Sequence, residues 1–103
     1  MTSQALCLTL IAPRELRDEL FDFLSEQTDL VSGFTASDAA GHGARVRLRT
    51  TAERVKGHAD EVVVRIVLQE ADSERLLERL RSTFAGTQLV YWAMPVTSFG
   101  VID

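Results

Sequence analysis

The stretch that most constrains the fold is DEVVVRIVLQ, residues 60–69. In an extended strand, successive side chains point to opposite faces. Val62, Val64, Ile66 and Leu68 then share one face, and Val63, Arg65, Val67 and Gln69 the other. The first face is wholly apolar and demands a covering layer. The second is half apolar, more than an ordinary solvated face carries. The pattern predicts a central strand whose inner face meets helices and whose outer face meets something else, most simply another copy of the chain.

The same two-sided grease recurs in ALCLTLI, residues 5–11, with Leu6, Leu8 and Leu10 on one face and Cys7, Thr9 and Ile11 on the other. Pro13 is expected in the first turn of a following helix, where its missing N–H costs nothing. Leu16, Leu20, Phe23 and Leu24 give that helix a core stripe reaching about Gln27. GFTAS, residues 33–37, reads as a short second strand. Residues 39–44 then read as a loop in which Gly41 and Gly43 flank His42. RVRLRT, residues 45–50, alternates again, with Val46 and Leu48 opposite Arg45, Arg47 and Arg49, the pattern of a β-ribbon arm. Thr50 and Glu53 have capping-box spacing, predicting one helical turn to about Val55 stopped by Gly57, with His58 following.

After the central strand, Asp72 or Ser73 is expected to cap a second long helix, with Leu76, Leu77, Leu80 and Phe84 buried and Gly86 ending it. Residues 88–94 form the last strand, with Val90, Trp92 and Met94 on one face and Leu89, Tyr91 and Ala93 on the other. Pro95 marks an edge or a strand end. The remaining tail still carries Phe99, Val101 and Ile102, which predicts that it docks on something. The order βαββαβ predicts an α+β, ferredoxin-like fold: one four-stranded antiparallel sheet with two helices on one face. Residues 1–103 are expected to form a single domain.

Composition narrows the function. The net charge of −4 disfavours nucleic acid, which selects basic surfaces. No apolar run approaches the ~20 residues of a membrane helix, and the N-terminus lacks signal-peptide features, so a cytoplasmic protein is expected. The single Cys7 excludes an internal disulfide and fits a reducing compartment.

The order LTLIAPRELRDELFDFL, GFTASDAAGHG, VKGHADEVVVRIVLQEADSERLLERLRSTFAG and LVYWAMPV resembles the DUF3240 family of small bacterial PII-like proteins, over nearly the whole chain. Its most specific pieces are Gly41-His42-Gly43 and the YW-x-x-P motif of Tyr91, Trp92 and Pro95. The resemblance implies the trimer of the PII and CutA-type proteins. It also implies that residues 39–57 correspond to the PII T-loop, the mobile arm that engages partners, in a setting near heavy-metal efflux systems. Two features depart from PII. Ala85-Gly86-Thr87-Gln88 stands where PII proteins carry a lysine-bearing glycine-rich turn for nucleotide phosphates, and residues 96–103 hold no arginine. The PII-type nucleotide motif is therefore not matched.

Among individual residues, His42 could ligate a metal or small anion with the glycines admitting close approach, or sit exposed at a loop tip. A divalent transition metal could recruit His42 and His58, with Cys7 or Asp38 as further donors, but none lies at a local metal-motif spacing. Arg47 and Arg49 could grip phosphate or carboxylate, or line a solvated ribbon. Trp92 could line a cleft between subunits, or pack in the sheet interface. No G-x-S-x-G, H-E-x-x-H, P-loop or triad is present, so an enzyme is not expected. The reading is a trimeric sensor that binds a small effector (metal ion, anion or adenine nucleotide) between subunits. It would regulate a partner, such as a membrane transporter, through the arm; the alternative is a CutA-like metal-binding tolerance protein.

Overall fold

The structure is a computed structural model that describes residues 4–43 and 46–103. Strand β1 (Ala5–Pro13) runs through a 3-10 turn (Arg14–Leu16) into helix α1 (Arg17–Glu26). Strand β2 (Thr35–Gly41), helix α2 (Thr51–Lys56), strand β3 (Ala59–Gln69), helix α3 (Glu70–Thr83) and strand β4 (Val90–Pro95) follow. The strands form one antiparallel sheet in the order β2-β3-β1-β4, the ferredoxin-like topology expected from the pattern.

Register separates the two faces. Leu8 pairs with Ile66, Leu10 with Val64 and Ala12 with Val62. These side chains join Leu20 and Leu24 of α1 and Leu76 and Leu80 of α3 in the core. Phe23 of α1 meets Phe84 edge-on, with ring centroids 5.4 Å apart, fastening the two long helices over the sheet. The opposite face carries Cys7 beside Val67 and Met94, Thr9 beside Arg65 and Trp92, and Ile11 beside Val63 and Val90. On it, Val90, Trp92 and Met94 remain 51, 44 and 57% exposed. The half-apolar outer face of the central strand therefore continues across β1 and β4.

Several boundaries differ from expectation, each for a physical reason. Pro13 ends β1 in an extended conformation (φ −55°, ψ 140°) instead of opening the helix. The second strand is longer and later than residues 33–37, reaching Gly41; TASDAAG has no strong strand signal, and pairing with β3 supplies what propensity lacks. Ala39, Ala40 and Gly41 are thus strand, not loop. The expected ribbon at 45–50 is not formed over the described residues 46–49, which are irregular and have no partner strand to complete an alternating ladder; Arg45 lies outside the described residues. Helix α3 starts at Glu70 rather than after a cap at Asp72 or Ser73. The Glu70 amide donates to the Gln4 carbonyl at 2.9 Å, which satisfies the helix start without a side-chain cap. Ser73 is buried inside the first turn. The last strand begins at Val90, because Gln88 turns into the left-handed region (φ 64°) just before it.

Candidate functional site

One end of the molecule is built around Glu53. The predicted capping box forms: the Glu53 amide donates to Thr50 Oγ1 at 3.0 Å, and the Thr50 amide donates to Glu53 Oε1 at 3.0 Å. Glu53 does more than cap. Its Oε1 also accepts from the Arg49 amide at 2.5 Å, and its Oε2 from the Asp60 amide at 2.5 Å. One buried carboxylate therefore ties the end of the 46–49 segment, the start of α2 and the start of β3 together. The Asp60 amide, then those of Arg49 and Thr50, hold its carboxyl below the usual range. Gly57, at φ 82°, makes the left-handed turn that brings the chain from α2 back into β3.

Charges gather around this latch. Lys56 Nζ donates to both Asp60 oxygens at 3.0 and 3.1 Å, which lowers the Asp60 pKa. Arg14 stands between Asp38 on β2 (3.6 Å) and Asp60 on β3 (3.8 Å), and Arg49 pairs with Glu15 at 3.1 Å. Among the described residues, Arg14 Nε is buried without a hydrogen-bond partner, the kind of orphan donor that native structures rarely tolerate.

Beside the latch opens a cavity of about 550 Å³, whose walls include Arg47, Arg49, Glu53, Glu61, Gln88 and Val90. Arm, central strand and the turn before β4 thus meet at one place. Glu61 is the unusual group here. Burial, then the neighbouring Glu53 charge, raises its pKa, while Arg49 opposes the shift. Its carboxylate lies against Gly41, where an added Cβ would collide with it. The glycine of the GHG motif thus makes room for an acid on the neighbouring strand.

The two histidines, sixteen positions apart in sequence, come together: the His42 and His58 rings have centroids 5.5 Å apart. His42 leaves the end of β2 and is exposed; His58 sits in the bend between α2 and β3. His58 Nδ1 lies 3.4 Å from the Ala59 carbonyl and 3.9 Å from Asp60 Oδ1. A proton on Nδ1 directed at those oxygens would leave Nε2 as the nitrogen with a lone pair. Among the described residues, no group of three or more His, Cys, Asp or Glu side chains could hold a metal ion. Two imidazoles would thus need further ligands from water or from another copy.

The expected site residues fall into three places. Arg47 and Arg49 line the cavity, Gly41 lies against Glu61 of its wall, and His42, followed by Gly43 (φ 121°), meets His58 apart from the lining residues. Trp92 is not brought there: it stands beside Thr9 on the open sheet face, and Val90 occupies the cavity wall from β4. Sequence reasoning missed Glu61 and Gln88, and saw Glu53 only as a cap. The signal available for Glu61 was an acid in an otherwise apolar strand opposite a glycine.

A family model described as "Protein of unknown function (DUF3240)" matches residues 2–103. Among solved structures, a DUF3240 family protein from Shewanella baltica is similar at 24% identity and a TM-score of 0.79, covering 99% of this chain and 100% of that one. A nitrogen regulatory PII-like protein, CPII from Thiomonas intermedia, described as bound to ADP, AMP and bicarbonate, is similar at 17% identity and a TM-score of 0.69, covering 95% and 96%. CutA1 from Pyrococcus horikoshii is similar at 13% identity and a TM-score of 0.68, covering 92% and 86%. A search of curated proteins finds no match. The ferredoxin-like architecture is thus that of PII-like and CutA-like proteins. Among the described residues, no helix is long and apolar enough to cross a membrane.

Proposed function

The chain belongs to the DUF3240 family, and from that premise we propose that it acts as a PII-like sensor in the cytoplasm. Three copies assemble through the open sheet faces. A small effector enters the clefts at the base of the 39–57 arm, and the arm then changes its hold on a partner, a membrane transporter for heavy metals being the reading the resemblance favours. The role is regulatory rather than catalytic. The observation that carries this reading is the meeting of Arg47, Arg49 and Gln88 in one cavity directly over the Glu53 latch. A ligand that engages the arginines would bear on the same segment whose end the latch fixes, coupling occupancy to arm order.

Arg47 and Arg49 give the cavity two guanidinium groups that could take the oxygens of a small anion or of an adenine nucleotide's phosphate bidentately, against the carboxylates of Glu53, Asp60 and Glu61 in the same walls. The CPII structure, with its nucleotides and bicarbonate, supports that class. The missing lysine and C-terminal arginines favour the smaller anion. Hydrogen exchange over residues 46–57, run with bicarbonate, phosphate, ADP, AMP or ATP, tests the reading. It predicts that at least one of these slows exchange there by about tenfold or more. Exchange unchanged with every one of them would contradict it.

A second reading, a CutA-like metal-binding tolerance protein, rests on the His42–His58 pair and the orientation of His58 by Ala59 and Asp60. Imidazoles suit zinc, copper and nickel. Calorimetry with these ions distinguishes the two: stoichiometric uptake that disappears in both His42→Ala and His58→Ala belongs to the metal reading.

A further inference from the structure

The cavity beside the Glu53 latch holds more acid than a simple anion site would. Arg47 and Arg49 bring two guanidinium groups to its walls, whereas Glu53, Asp60 and Glu61 bring three carboxylates. The three acids are not equivalent. Glu53 has both oxygens engaged by the amides of Arg49, Thr50 and Asp60. Asp60 has both of its oxygens on Lys56 Nζ, at 3.0 and 3.1 Å, with Arg14 close by at 3.8 Å. Glu61 differs. Among the described residues no donor bonds its carboxylate, and what acts on it is burial, the Glu53 charge and the opposing Arg49 charge. On the side of β2 it meets Gly41, which has no side chain to offer a hydrogen bond or a charge. Two open acceptor oxygens therefore stand in the same walls as two guanidinium groups and the Gln88 carboxamide.

A half-buried carboxylate without a donor is best matched by a ligand that brings one. We propose, resting on the anion reading of this cavity given above, that its ligand is an oxyanion bearing its own hydroxyl, of the hydrogen carbonate or hydrogen phosphate type. Its charged oxygens face Arg47 and Arg49, and its O–H donates to Glu61. Glu61 is then the residue that selects the ligand. An anion of the same shape and charge but without a proton sets bare oxygens against a bare carboxylate. That contact is repulsive, and it shuts the carboxylate away from water with no donor in exchange. Burial and the Glu53 charge raise the proton affinity of Glu61, which strengthens it as an acceptor for the ligand's O–H. Gln88 can give or take a hydrogen bond, so it holds either kind of anion and does not discriminate.

Matched pairs of anions test this in the full-length protein. At mildly alkaline pH hydrogen phosphate and sulfate are both tetrahedral dianions, and hydrogen carbonate and nitrate are both planar monoanions. Within each pair only the first carries an O–H. Each is titrated at fixed ionic strength and followed by the amide chemical shifts of residues 46–61. At least one hydroxyl-bearing anion should bind about tenfold or more tightly than its partner. Glu61→Gln replaces an acceptor-only group by one that can also donate, so sulfate or nitrate should gain and the ratio should fall to about threefold or less. The variant should keep Tm within a few degrees of wild type, because the carboxylate it alters bonds no donor among the described residues. Equal binding within both pairs, tighter binding of the proton-free member, or discrimination undiminished in Glu61→Gln would overturn the inference. So would binding by none of the four. In that case nucleotide-induced protection of residues 46–57 would leave the wider anion reading standing, and its absence as well would remove both.

Discussion

Glu53 shows how much one side chain can decide. Its carboxylate accepts three backbone N–H groups from Arg49, Thr50 and Asp60, which belong to three different local structures. Replacing it by Gln keeps the shape but turns one oxygen into a donor facing a donor. Glu53→Gln should lower Tm by roughly 5–10 °C, measured by thermal unfolding, and should speed exchange at residues 49–60. A drop under a degree or two would mean that the latch holds nothing. Thr50→Ala removes only the cap and should cost about 1 kcal/mol. Asp29 gives a separate, pH-dependent check. Arg79 donates to both its oxygens at 2.9 and 2.8 Å, taking its pKa from the ordinary 3.8 to about 2. A carboxylate with a depressed folded pKa stabilises above its unfolded pKa, and that contribution fades as pH falls from 3.8 to about 2. The fall in Tm across that window should be shallower in Asp29→Asn than in the wild type; parallel curves would refute the pairing. The capping box was legible in the spacing of Thr50 and Glu53. The third bond, to Asp60, was not, since no local pattern reports which distant amide a carboxylate will meet.

At the scale of elements, strong periodicity was readable and weak periodicity was not. Alternation in β1 and β3 and the leucine stripes of α1 and α3 gave the sheet's centre and its helical cover. TASDAAG offers no such alternation, so only the ladder to β3 reveals that β2 reaches Gly41. RVRLRT erred in the opposite direction: it alternates, but its described part has no strand beside it. Tertiary pairing decided both. The extension of β2 matters, because it carries Gly41 against Glu61 and delivers His42 to His58. In Gly41→Ala the new methyl would displace the Glu61 carboxylate, whose flexible end can swing aside. The fold should survive, with Tm within a few degrees of wild type. Effector-dependent protection of residues 46–57 should weaken, because the cavity wall has moved. Retention of full protection would separate Gly41 from the site.

For the whole molecule, the sheet is half covered. Helices bury one face, while Val90, Trp92 and Met94 stand about half exposed on the other, alongside Cys7, Ile11 and Val67. Full burial of a large apolar side chain contributes ~1.5–3 kcal/mol, which is the driving force the proposed assembly would draw on. The two-sided grease of the central strand foretold this face from the sequence. It could not place Trp92 relative to the arm, since that depends on which edge β4 occupies. Trp92→Asp puts a charge in the middle of the proposed interface and should weaken assembly by more than about tenfold, while leaving the helix-side core intact by circular dichroism. The direct test is sedimentation equilibrium of the wild-type protein at micromolar concentration. The account predicts a single species with the mass of three 11.4-kDa chains. A folded species with the mass of one chain would leave the open face wet, and the clefts proposed between subunits would not exist.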